Sequence, residues 1–90
     1  MILPVNRTPV TIESFEIRGA AGERAKVGLR PLRGQKFAAS LIVEGNRSLI
    51  EDYPIGTSFR VQAALMRRPG GDQYLFTSWQ WDVQTLDRAG

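Results

Sequence analysis

The chain has 90 residues, a formal net charge of +3 and a pI near 10.0, with 42% hydrophobic, 9% aromatic and 23% charged side chains. That is one domain, near the lower end of what a single hydrophobic core stabilises alone, and its composition excludes an intrinsically disordered chain. Without His or Cys there is no thiol nucleophile, Ser–His pair, zinc site of the usual ligands or disulfide, so a non-catalytic protein without cofactor or metal is expected.

The chain opens "MILPVNRTPV", with two prolines and no apolar stretch of signal-peptide length. Its longest apolar run, Ala63 to Met66, is far short of the roughly 20 residues of a membrane span. A cytoplasmic protein with no membrane partner is the expectation, with residues 1–9 and 87–90 as flexible ends of a single domain, 1–90.

Strand signals follow at short intervals, and no stretch of helical length carries a helical stripe. "TIESFEIR" and "RAKVGLR" read as a hairpin around "GAAGE". Pairing Ile17 with Ala25 and Phe15 with Val27 gives one dry face, leaving Glu16 opposite Lys26 and Arg18 opposite Arg24 on a charged one. "FAASLIVE" and "RSLIE" read as a second hairpin across Gly45-Asn46, both of which tolerate positive φ. "SLIE" also fits a capping box, so one helical turn before Tyr53-Pro54 stays open. The last hairpin, "FRVQAALMRRPGGDQYLFTSWQW", closes across Pro69-Gly70-Gly71. It pairs Leu65 with Leu75, Ala63 with Thr77, Val61 with Trp79 and Phe59 with Trp81, which makes both tryptophans core residues.

Six short strands are thus predicted, at about 11–18, 24–30, 37–44, 47–51, 58–67 and 74–86. Open edges on such short strands favour curling shut, so the expected fold is all-β, an antiparallel and mostly meander barrel, closed or partly closed, of the OB-like or SH3-like kind. In size, basic charge and strand pattern the chain resembles the small β-barrel binding proteins of phages and mobile elements, OB-like single-strand DNA-binding proteins among them. That resemblance implies binding rather than catalysis. It rests on the strand pattern, not on a motif, and the helix most OB folds carry between strands three and four has room here only as a turn.

Charge is uneven: residues 1–36 carry seven basic and three acidic side chains, residues 37–90 five and six. Ten of the twelve basic residues are Arg, which suits planar and phosphate contacts. Opposite the tryptophan face, the last hairpin carries Met66, Tyr74 and Phe76 fringed by Arg60, Arg67 and Arg68. Three uses fit such a patch: a second layer or homodimer contact, a nucleic-acid surface, and a protein partner. For single-stranded DNA or RNA, Arg24, Lys26 and Arg30 with Arg33 and Lys36 form the backbone track, Tyr74 and Phe76 stack bases, and Arg60, Arg67 and Arg68 hold phosphates. The alternative is a protein-interaction module, a small subunit or inhibitor, using Met66, Tyr74 and Phe76. A homodimer is expected in either case, given the small chain and its second apolar face.

Overall fold

In the computed structural model, which describes residues 6–19 and 26–86, six strands and one helical turn succeed each other. They are β1 (Thr8–Ile17), β2 (Lys26–Pro31), β3 (Val43–Glu44), α1 (Ser48–Glu51), β4 (Ser58–Arg67), β5 (Gln73–Phe76) and β6 (Val83–Thr85). They form one sheet in the order β2-β1-β4-β5-β3, with β6 also on β4. The sheet is not closed, so the expected all-β, partly closed barrel is what forms. β1 runs antiparallel to β2 and β4, and the other edge of β4 is shared, Ala64–Arg67 pairing with β5 and Phe59–Val61 with β6. β3 pairs with β5 in parallel, which departs from the expected meander.

Alternation along the strands builds the core. Val10 and Ile12 of β1, Leu29 of β2, Phe59, Val61 and Ala63 of β4, and Leu75 of β5 point inward, joined by Val43 and Leu49. Phe37, Leu41 and Ile50 pack against this cluster from loop and turn, so the two-sided apolar pattern of residues 41–50 serves packing rather than a doubly covered strand.

Three registers differ from the sequence reading. In the first hairpin Phe15 opposes Gly28 and Ile17 opposes Lys26, a slip of one residue that exchanges the faces of β1. The inner face is Val10, Ile12 and Ser14, while Phe15 and Ile17 lie outside. Gly28 permits this: a Cβ there would sit 2.8 Å from Ile17 Cδ1 and 3.3 Å from the Phe15 ring. Ser14 is tolerated inside because its hydroxyl donates to the Pro54 carbonyl and accepts from the Gly56 N–H at 3.0 Å. Ala25 lies outside the described residues.

The second hairpin does not form. Only Val43–Glu44 of residues 37–44 is strand, and 48–51 is the helical turn. Of the Gly45-Asn46 pair only Gly45 takes positive φ, 110°. The Ser48 hydroxyl donates to Asn46 Oδ1 at 2.6 Å, and Arg47 is the N-cap without a side-chain bond, so no capping box forms. A third change occurs in the last hairpin. Leu65 opposes Leu75 as expected, but the ladder stops at Ala64–Phe76. The Thr77 N–H turns to the Glu44 carbonyl of β3 and its hydroxyl to the Gln62 carbonyl, each near 2.8 Å. Residues 77–82 leave the sheet, and pairing with β4 resumes with Val83 opposite Val61 and Thr85 opposite Phe59. Neither tryptophan faces Phe59 or Val61, and Leu65 is 46% exposed beyond the core's end.

At the far end of β1, Gln35 substitutes for a strand. Its amide donates to the Thr11 and Leu32 carbonyls and accepts the Thr11 N–H at 2.8 Å, completing backbone pairing where β2 ends.

Candidate functional site

Residues alternating with the core positions share the outer face of the sheet, and the registers fix their neighbours. Lys26, Gly28 and Arg30 of β2 lie beside Glu13, Phe15 and Ile17 of β1. Thr11 of β1 opposes Arg60 of β4. Ala64 and Met66 of β4 oppose Phe76 and Tyr74 of β5. The basic strand β2 and the aromatic strand β5 therefore present these residues on the same side of one sheet, with β1 and β4 between them.

Several of the expected cations are already engaged. Arg30 Nε donates to Glu13 Oε2 at 2.8 Å while its guanidinium lies 4.2 Å from the Phe15 ring. Arg68 Nη2 donates to Glu44 Oε2, and its guanidinium lies 4.2 Å from the Tyr74 ring. Arg60 Nη1 donates to Thr11 Oγ1 at 3.0 Å and stays exposed. Lys26, Arg33, Lys36 and Arg67 are exposed and in no ion pair among the described residues. The Lys36 ammonium lies 5.7 Å from the Phe37 ring. Arg33, Arg30 and Glu13 line one hollow, so Arg33 extends the β2 track. Arg24 lies outside the described residues. Glu13 thus interrupts the basic track at its centre.

The aromatic patch is also partly covered, by a residue expected in the core. Trp81 meets the Phe76 ring edge-on at 5.6 Å, and the Arg7 guanidinium lies 4.8 Å from the Trp81 ring. Phe76 opposes Ala64 across one edge of β4. Arg7 precedes Thr8, which opposes Ala63 across the other edge. An indole touching both Phe76 and Arg7 therefore spans β4 over Ala64. That accounts for Trp81 being 8% exposed and Ala64 4%, and for Phe76 being half-buried beneath it. Tyr74, half-buried too, is roofed by Arg68.

Between them Ser78 and Trp81 hold a tight turn, the Trp81 N–H donating to the Ser78 carbonyl at 3.1 Å. The Ser78 hydroxyl accepts the Gln80 N–H at 3.1 Å. Both anchors are buried, and Trp79, at the first of the two central positions, is 72% exposed. Running one ladder through to residue 81 puts it inside; the break in pairing over residues 77–82 puts it outside. The signal against the single ladder was Thr77-Ser78 followed by Gln80 and Asp82, polar residues suited to a turn.

The unpaired edges of β2 and β3 flank a groove of ≈ 720 Å³, floored by Val27, Leu29, Ile42, Val43 and Ile50 with Glu44 and Arg47 at its lip. Among the described residues no group of His, Cys, Asp and Glu side chains could hold a metal ion, and no helix is long and apolar enough to cross a membrane. No protein-family model, curated protein or solved structure matches the chain.

Proposed function

We propose that the chain is a non-catalytic protein that binds single-stranded DNA or RNA along the outer face of its sheet. The observation that supports this is the register: Arg60 opposite Thr11, Glu13 opposite Arg30 and Phe76 opposite Ala64 put cations and aromatic rings on one side of adjacent strands. A single strand needs such a combination, a positive track for its phosphates and rings for its bases. Lys26, Arg33 and Arg60 are the phosphate contacts in this reading, since Arg30 and Arg68 are held by carboxylates and Arg67, opposite Gln73, lies on the other face from Met66 and Tyr74. Lys36 extends the track on the loop side.

Fluorescence anisotropy with a labelled oligo-dT or oligo-U, over a salt series from about 50 mM, tests it. Affinity should fall steeply with salt, and Lys26→Ala or Arg60→Ala should flatten the log–log slope by about 0.7 each, one phosphate's worth for single strands. Absence of binding by the unaltered chain at the lowest salt rejects the reading.

A protein partner is the second reading, and the groove between the β2 and β3 edges favours it. It offers an aliphatic floor and an exposed Ile42 to a partner's side chains. Binding of that kind should be almost indifferent to salt.

A further inference from the structure

We infer that Trp79 is the principal base-stacking residue of this surface, an assignment that rests on the nucleic-acid reading above. Tyr74 and Phe76, the rings that sequence alone suggests, are both roofed, one by Arg68 and the other by Trp81. A base can reach either only by displacing its cover. Trp79 has no such cover: it is 72% exposed, the most open large hydrophobic side chain among the described residues.

Its support is unusually well fixed for an exposed ring. The turn it tops is anchored at one end by Ser78, which is buried and bonded to Gln80 N–H. At the other end stands Trp81, clamped between Phe76 and Arg7. One step earlier, Thr77 is tied to both β3 and β4 by its N–H and hydroxyl. An indole held this way loses little further freedom on binding, and low ordering cost is what makes an aromatic platform effective. Two cations of the outer face flank this segment: Arg7 lies on Trp81 itself, and Arg60 opposes Gln84, three residues beyond Trp81. In this assignment the strand's backbone runs from Arg60 toward Arg7, and its bases stack on Trp79.

The chain has two tryptophans, so Trp81→Phe leaves Trp79 as the single indole. Titrating that variant with oligo-dT should quench its emission in parallel with binding measured by anisotropy. Trp79→Ala should weaken binding by about 5- to 150-fold, the range for losing one stacked base, with an unchanged salt slope and unfolding midpoint. Trp79→Phe should restore most of the affinity. If the unaltered chain binds no oligonucleotide, the nucleic-acid reading and this assignment fall together. If the unaltered chain binds and Trp79→Ala binds as well, only the assignment falls. A Trp79→Ala chain that no longer folds would also overturn it, because the ring would then be structural.

Discussion

The two faces of β4 are held by different physics. Inward, Phe59, Val61 and Ala63 meet Val10, Ile12, Leu29 and Leu75 in a cluster with no polar atom to satisfy, and Phe59 is wholly buried. Outward, Ala64 lies under a stack of Phe76, Trp81 and Arg7, with Arg68 on Tyr74 and paired to Glu44 nearby. The first face gains from removing apolar area from water, at about 25 cal/mol per Å². The second gains smaller amounts from cation–π and edge-to-face contacts, about 0.5–1.5 kcal/mol each beyond burial. The contrast teaches that a strand can be central to a fold while only one of its faces carries most of the stability, leaving the other open to a binding role.

The sharpest way to break that contrast is Phe59→Ala. Chemical denaturation should show a loss of about 3–5 kcal/mol, the usual cost of emptying a large aromatic core site. Gly45→Ala attacks the outer face at its tightest point. A Cβ there would stand 2.3 Å from the Thr77 carbonyl oxygen and 2.8 Å from the Phe76 ring, at φ 110°. A loss of about 2–4 kcal/mol is expected, because backbone strain and a backbone collision add. Trp81→Ala should cost about 2–3 kcal/mol, at or below the low end for aromatic truncation, since part of the ring's cover is the exposed Arg7 side chain. A loss as large as that of Phe59→Ala would show that the outer stack is a second core. Smallest of all, Glu44→Gln should shift stability by no more than about 1 kcal/mol, because the Glu44–Arg68 pair is half-exposed and screened. It should also free Arg68, so any change in oligonucleotide affinity ought to be a gain.

Much of the architecture was legible in the sequence and some of the pairing was not. The strands around 11–17, 26–30 and 58–67, and the loop at Pro69-Gly70-Gly71, follow from alternation and turn chemistry. The register of the first hairpin was hidden because Phe15 and Ile17 look like core residues. Only the space left by Gly28 shows that they can fold over the outside of β2. At Trp79 and Trp81 local alternation pointed inward, but the Thr77 N–H is taken by β3, a partner more than thirty residues distant and paired in parallel. No local pattern encodes that. Of the site, Lys26, Arg33, Lys36 and Arg60 could be read from charge and alternation, whereas alternation from Met66 turns Arg67 to the other face. The neutralisation of Arg30 by Glu13 and of Arg68 by Glu44 depends on side-chain geometry across strands, which charge counting does not resolve.

The position of β4 between β1 and the β5–β6 edge also sets the order in which the chain can assemble. The β4–β5 hairpin closes over five residues, with the Arg68 N–H bonded to the Asp72 carbonyl and the Gly71 N–H to the Arg68 carbonyl. β1 must instead find β4 across 49 residues, the separation of Thr11 and Arg60. Short loops close first because closure entropy grows with length, so the hairpin forms early and the docking of β1 limits the rate. Refolding on the millisecond-to-second scale is expected, as for other small domains dominated by non-local strand pairing. Val10→Ala, at the β1–β4 contact, should then mainly speed unfolding, while Leu75→Ala, beside the hairpin, should mainly slow folding. The amides of Phe59–Val61, where β4 lies between β1 and β6, should be among the last to exchange their protons with solvent.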